Sequence, residues 1–185
     1  MSEPLLLHIC CAPCLSGCLD PLSDSGWEPA GYFYNPNIHP FSEHERRAST
    51  LADYSKTIGI TVHFSQGYPL AGNLAMMLSA ERRCAACFED RLGSAARKAA
   101  ELGIGAFATT LSLSPWQDRD LLSAAGRRAA AAAGVDFLDV DLRPFYGRSV
   151  EVSRAAGLYR QKYCGCIFSE HERLSGTGRR RPVFR

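Results

Sequence analysis

Short apolar runs alternate with longer amphipathic stretches along this chain, a periodicity of strands and helices taken in turn. Residues 5–9 form the first apolar run and end at a pair of cysteines; Pro13 then opens a helix to residue 22, proline being tolerated in a first turn. Residues 30–34 read as a second strand, closed by Asn35-Pro36-Asn37-Ile38-His39-Pro40, which is too rich in proline to continue it. Ser42-x-x-Glu45 reads as a capping box for a helix to residue 58, followed by a third strand over residues 60–65. Helical spacing resumes over residues 71–78 and 84–102, where Gly103 supplies a stop. Residues 107–111 are the fourth strand, Ser114-Pro115-Trp116-Gln117 reads as a second capping box, and an alanine-rich helix runs to residue 133 before Gly134. A fifth strand over residues 137–140 and a helix over residues 150–156 complete the pattern.

Strands separated by helices of this length predict an α/β fold, a doubly wound parallel sheet covered on both faces. Ligands of such sheets bind outside the carboxyl ends of the strands. Cys10-Cys11, the loop from Asn35 to Pro40 and the stretch from Thr109 to Gln117 are all predicted at such ends, so they are expected on one face. No internal repeat or linker interrupts the pattern. The expected organisation is one α/β catalytic domain over residues 1–175 and a basic tail over residues 176–185.

Composition narrows the setting. The chain is 46% hydrophobic and 22% charged, an ordinary globular balance, and a net charge of +2 neither demands nor excludes nucleic acid. Charge is uneven, however: Arg82-Arg83 adjoin a cysteine pair, and Arg179-Arg180-Arg181 with Arg185 make the tail basic. Such patches suit phosphates; a solvated tail is the plainer reading of the last ten residues. The start of the chain has no basic segment and its apolar run is too short for a signal sequence, and no run is long enough to span a bilayer. A cytoplasmic protein without a membrane partner is expected.

In a reducing compartment, clustered cysteines are more often metal ligands or catalytic thiols than structural disulfides. The eight cysteines fall at Cys10, Cys11, Cys14 and Cys18, at Cys84 and Cys87, and at Cys164 and Cys166. Cys10, Cys11, Cys84 and Cys87 offer two thiolates from a strand end and two from a helical C-x-x-C turn, a set suited to a [4Fe-4S] cluster or to a structural tetrathiolate zinc site. Cys164-Gly165-Cys166 is a separate device, because one glycine lets two thiols lie close. It suits either a dithiol–disulfide cycle or, with Cys14, a second metal such as mononuclear iron or zinc.

Five motifs in order carry a family resemblance: His8-Ile9-Cys10-Cys11-Ala12-Pro13-Cys14, the stretch from Tyr32 to Pro40, Glu81-Arg82-Arg83-Cys84-Ala85-Ala86-Cys87, the stretch from Thr109 to Pro115, and Tyr159 to Cys166. Together they resemble the QueH type of epoxyqueuosine reductase over residues 5–169. The resemblance implies a cobalamin-independent iron–sulfur oxidoreductase that reduces epoxyqueuosine to queuosine at the wobble position of tRNA, the last step of queuosine biosynthesis. It further implies a fold similar to the adenine nucleotide alpha hydrolases (HUP-like), a [4Fe-4S] cluster on Cys10, Cys11, Cys84 and Cys87, and an external electron donor. Cys164 and Cys166 are then the catalytic pair, redox-active through a disulfide bond.

Two other classes fit parts of the chain. An ATP-using tRNA-modifying enzyme on the related fold needs a Gly/Ser-rich phosphate loop after the first strand, where Cys10-Cys11-Ala12-Pro13 stands instead. A noncatalytic zinc-stabilised RNA-binding module needs only the thiols and the basic patches. Asp118, Asp141, His8 and His39 are acids by residue type, with no spacing that selects one. Trp116 and the helix start at Ser114 offer a stacking surface and free amides to RNA, or simply a buried aromatic and a cap.

Overall fold

The computed structural model describes residues 2–177. The expected arginines of the tail, Arg179, Arg180, Arg181 and Arg185, lie outside the described residues. Five strands, β1 (Glu3–His8), β2 (Trp27–Phe33), β3 (Val62–Phe64), β4 (Ala106–Thr109) and β5 (Asp136–Phe137), form one sheet in the order β3-β2-β1-β4-β5. Every pairing is parallel. The connecting helices are α1 (Ala12–Asp24), α2 (Phe41–Ile58), α3 (Leu70–Ser79), α4 (Arg83–Glu101) and α5 (Arg119–Ala133), followed by α6 (Tyr146–Ala155) and α7 (Ile167–Leu174).

The central strand explains the layering. Leu5, Leu6 and Leu7 are fully buried, as a continuous apolar run must be when a strand is covered on both faces. Successive side chains leave a strand on opposite sides, so Leu6 packs with Phe88, Leu92, Phe107 and Leu122 of one core. Leu5 and Leu7 point into the other, with Leu15, Leu22, Phe33 and Leu51. Helices α4 and α5 therefore cover one face, and α1 and α2 the other. A small residue lets α5 approach the sheet closely: a Cβ added at Gly126 would stand 2.3 Å from the ring of Phe137 in β5.

Several boundaries differ from the sequence expectation for local reasons. Ser114 caps only a turn, its carbonyl accepting from the Gln117 amide at 3.3 Å, while α5 starts a turn later because Asp118 accepts from the Leu121 amide at 3.1 Å. Ser42 is likewise unused, since the chain turns into α2 directly after Pro40. The fourth strand stops at Thr109, whose hydroxyl captures the Leu111 amide and starts the 3-10 turn Thr110–Leu113. The fifth strand is only two residues long, α6 begins four residues earlier than expected, and α7 has no counterpart in the sequence reading. Helix α7 is capped by a thiol: Cys166 Sγ accepts from the Ser169 amide at 3.3 Å.

Chain order reverses between β1 and β4, where successive connections leave in opposite directions and open a crevice at the carboxyl ends. Cys10 and Cys11 follow β1, and Thr109 and Thr110 close β4. The cysteine pair thus lies where the fold itself leaves room for chemistry. Among the described residues no helix is long and apolar enough to cross a membrane.

Candidate metal centre

The floor of the crevice is rigid and neutral. His8 is fully buried at the end of β1; its Nε2 lies 3.1 Å from the Tyr34 carbonyl, which can only accept, so Nε2 carries the proton. The Thr109 hydroxyl then donates to Nδ1 at 2.9 Å. Burial, reinforced by the charge of Arg91, pushes the His8 pKa down to about 3. His8 is therefore a neutral structural strut near pH 7 and not an imidazolium acid. Thr110 does the corresponding work for the next residue: its hydroxyl accepts from the Cys10 amide at 3.0 Å and donates to Cys10 Sγ at 3.3 Å.

Three sulfurs gather above this floor. Those of Cys10, Cys11 and Cys14 all lie within 4.8 Å of one another, with Cys10 and Cys11 at 3.8 Å. Helix geometry accounts for the third: Cys11 is the N-cap of α1, and Cys14 sits three residues on, so the first turn of the helix brings its thiol back over the strand end. Donation from the Cys11 and Cys14 thiols holds Cys10 well below the usual thiol range, helped by the charge of Arg91 and the Thr110 hydroxyl. In return Cys11 is pushed up to about 12, and Cys14 is also raised. The trio is thus a set of hydrogen-bonded thiols in which Cys10 is the most acidic, a soft donor set whose protons a metal would displace.

Cys84 and Cys87 do not join this group, which corrects the expected ligand set and with it the [4Fe-4S] cluster. Among the described residues only Cys10, Cys11 and Cys14 assemble, three thiols where such a cluster takes four. Nor do Cys164 and Cys166 combine with Cys14 in a second metal group. Cys84 is exposed in the first turn of α4, and Cys87 is buried one turn further along. Burial raises the Cys87 pKa to about 11, against the pull of Arg91, whose Nη1 stands 3.9 Å from its sulfur. Arg91 also donates to Asn35 Oδ1 at 2.6 Å, and Asn35 Nδ2 donates to the Ile9 carbonyl at 2.8 Å. That chain reaches the peptide just before Cys10.

The Cys164 to Cys166 turn is held by a second buried arginine. Arg47 donates to Glu43 at 2.7 Å and to the Cys164 carbonyl at 3.0 Å, and it stacks on Tyr163. Tyr159 completes the carboxylate's partners at 2.6 Å. The His39 amide donates to the Gly165 carbonyl at 2.8 Å. Gly165 has φ +118, and a Cβ there would stand 2.9 Å from both Arg47 and Ile38, so glycine is needed twice over.

No disulfide joins any of the eight cysteines, which corrects the expectation of a bond between Cys164 and Cys166. Their sulfurs are 3.7 Å apart, a hydrogen-bonded thiol and thiolate. Contact with the Cys166 thiol, then with the Ser169 side chain at 3.0 Å, lowers the Cys164 pKa to about 6, while Cys166 is raised by its contact with Cys164. Cys164 is exposed. A thiolate with a lowered pKa is lost only as pH falls through that value, so iodoacetamide labelling of Cys164, followed by peptide mass spectrometry, should reach half its plateau rate near pH 6. Half-maximal labelling near pH 9 would overturn this assignment.

The remaining candidates have plainer places. Asp118 is the cap of α5, Asp141 is paired with Arg143 at 2.6 Å, and the His39 ring contacts Tyr68 at 2.6 Å and Asn73 at 3.2 Å. Trp116 packs edge-on against Tyr146 at 5.1 Å. Cys18 is fully buried in the α1 core. Arg83 lies over Phe168 at 4.3 Å and 3.5 Å from Glu172, pinning α7 beside the start of α4. Sequence reading passed over Arg47, Arg91 and Glu43. Their signals were the Glu43-x-x-x-Arg47 spacing and the position of Arg91 four residues after Cys87, each placing the pair on one helix face.

Comparison with known proteins agrees over nearly the whole chain. The family model described as "Epoxyqueuosine reductase QueH" matches residues 5–172. An epoxyqueuosine reductase QueH of Dehalococcoides mccartyi is 36% identical over 175 residues, 94% of this chain and 96% of its own length. The protein of that name from Haemophilus influenzae is 35% identical over 173 residues, covering 89% of this chain and 71% of the relative. That of Thermotoga maritima is 30% identical over 179 residues, 91% of each chain. All five motifs that carry the resemblance fall within the matched span, and this chain belongs to the QueH family of epoxyqueuosine reductases.

Proposed function

We propose that this enzyme removes the epoxide oxygen of epoxyqueuosine in tRNA, leaving the alkene of queuosine, without cobalamin. The observation that carries the reading is the whole-chain family match, whose first thiol-bearing motif lies at the crevice between β1 and β4. The reaction breaks both C–O bonds of the ring, forms a carbon–carbon double bond and releases the oxygen as water. It consumes two electrons and two protons. The electrons come from an external low-potential donor.

Cys10, Cys11 and Cys14 fit a single thiophilic metal ion, iron or zinc: three soft donors converge, and Cys10 is held below the usual thiol range. Such an ion, when bound, supplies Lewis acidity toward an oxygen ligand. Cys164 and Cys166 are the reactive pair of this reading, acting on protons. Cys166, half-buried, holds a thiol proton against the exposed Cys164 thiolate, a proton the pair can pass to the departing oxygen. Arg47 keeps that pair in place, and Gly165 gives it its turn.

The wider reading includes a likeness to the adenine nucleotide alpha hydrolase fold, supported by the parallel order β3-β2-β1-β4-β5. It also includes a cytoplasmic setting, where the tRNA is. Arg82, Arg83 and the arginines of the C-terminal segment meet tRNA phosphates, so binding should weaken as salt rises. The test incubates anaerobic, metal-loaded protein and dithionite with tRNA bearing the epoxide, then digests the RNA and weighs its nucleosides. A product lacking one oxygen is expected. Its absence from a folded, metal-loaded preparation would sink the functional reading and favour an RNA-binding module.

A further inference from the structure

A half-exposed phenylalanine is ordinary surface; Phe41 is set apart by how it is held and by where it stands. It is the first residue of α2 and 52% exposed. The His44 ring lies nearly parallel to it, 14° out of plane at 6.1 Å, and the Tyr68 ring tilts against it at 5.1 Å. His44 and Tyr68 brace each other in turn at 4.9 Å. The brace leads to the Cys164 turn, because the Tyr68 hydroxyl donates to the Ile38 carbonyl at 2.6 Å and Ile38 packs against Gly165. From the same helix, the Arg46 guanidinium lies over the Tyr159 ring at 3.9 Å, and Tyr159 shares Glu43 with Arg47, which holds that turn. Arg46 and Lys162 are exposed, and among the described residues neither makes an ion pair.

A fixed aromatic ring, half open to solvent and accompanied by unpaired cations, fits single-stranded RNA, whose bases stack on aromatic faces while its phosphates meet Arg and Lys. Because the ring is already braced, a base that stacks on it need not pay for ordering it. The reaction itself creates the need. A nucleoside whose base enters the crevice must leave the stack of its loop, and the unpaired base beside it then loses a stacking partner. We propose that Phe41 is the shelf for that neighbouring base and that Arg46 meets a backbone phosphate, so that α2 holds the RNA strand while the reacting nucleoside lies at the Cys164 turn. This contact rests on the tRNA reading and adds where the strand lies and which groups grip it. The Glu45 carboxylate, one turn along from Phe41, contacts His44 at 3.5 Å and disfavours a phosphate on that side, leaving the phosphate to Arg46. An exposed ring alone would equally suit a second copy of this chain; the unpaired cations favour the polyanion.

The test measures binding of a fluorescein-labelled anticodon stem-loop RNA to the anaerobic full chain by fluorescence anisotropy, at several salt concentrations. Phe41→Ala should weaken binding by about 5- to 150-fold, the range for losing one base–aromatic stack. Phe41→Trp should keep the affinity, and its added indole emission should be quenched as RNA binds. Stem-loops made abasic at one loop position at a time locate the base: removing the base beside the wobble position should weaken wild type but cost Phe41→Ala little more. Arg46→Gln should lower the slope of log affinity against log salt by about 1. Circular dichroism checks folding, and if Phe41→Ala proves unfolded, Phe41→Leu, which keeps apolar bulk and loses the π face, takes its place. Wild-type affinity in the folded variant would overturn the shelf, as would abasic penalties that persist in it undiminished at every position. An unchanged salt slope in Arg46→Gln would overturn the phosphate contact. A Phe41→Ala protein that sediments differently yet binds RNA as wild type does would make the ring an interface between copies instead. Failure of wild type to bind the stem-loop at any salt concentration would remove the tRNA reading itself, and this contact with it.

Discussion

Cys10→Ser, Cys11→Ser and Cys14→Ser should each abolish stoichiometric binding of a thiophilic metal and, with it, epoxide reduction, whereas Cys84→Ser should keep the metal. The distinction follows from position: the first three sulfurs lie within 4.8 Å of one another, and Cys84 stands outside that group at the exposed start of α4. Loss of a direct ligand should exceed the 10- to 100-fold penalty typical of a supporting group, so affinity and turnover should each fall by more than about 100-fold. Stability should suffer less, because serine is close to cysteine in shape and the trio sits at a strand end rather than in the middle of either core. Metal content after anaerobic reconstitution, measured beside single-turnover assays, separates the cases. A Cys14→Ser protein with full metal content would remove Cys14 from the site, and a metal-free Cys84→Ser protein would show the ligand set to be wrongly drawn.

That contrast also marks where the sequence stops being informative. Cys10 and Cys11 were legible because an apolar run leading into a cysteine pair reads as a buried strand end, and the alternation of runs was enough to put Thr109 and Thr110 on the same face. Choosing Cys84 and Cys87 as their partners rested on the C-x-x-C spacing and on the family resemblance. The nearer partner was Cys14, and seeing it required knowing that α1 starts at Ala12 with Cys11 as its cap, so that one turn of helix folds the third thiol back. The pairing of Cys164 with Cys166 was legible as proximity, but spacing cannot separate a disulfide from a thiol–thiolate contact at 3.7 Å. The burial of Arg47 and Arg91 was not legible: the Glu43-x-x-x-Arg47 and Cys87-x-x-x-Arg91 spacings place each pair on one helix face but do not say that the face is covered. Burial of a charge is decided by what packs against it, here the Cys164 turn and the loop bearing Asn35, which are far away in sequence. The boundary errors share one cause: Ser42 and Ser114 had the right residue types for caps, but Pro40 and Asp118 lie where the backbone enters the helix.

Arg47→Met should destabilise the protein by about 3–5 kcal/mol, the range for removing one partner of a buried ion pair. Solvent screening does not reduce that figure much, because the side chains of Arg47 and Glu43 are only 1% and 10% exposed. Glu43 would be left with the Tyr159 hydroxyl alone, and the Cys164 carbonyl would lose its donor. The sign of the effect can be checked against a simple packing loss. Combining Arg47→Met with Glu43→Gln removes the stranded charge, so the double variant should be more stable than Arg47→Met by itself, which no loss of packing alone would produce. Urea unfolding of both variants and wild type measures this directly. The same substitution should also speed exchange of the amides between Tyr159 and Cys166, since Arg47 ties that segment to α2 by hydrogen bond and by its stack on Tyr163. An unfolding free energy within about 1 kcal/mol of wild type, the scale of an exposed pair, would show that Arg47 does not carry the charge burden assigned to it, and the clamp on the Cys164 turn would have to be sought in the His39 amide and Gly165 instead.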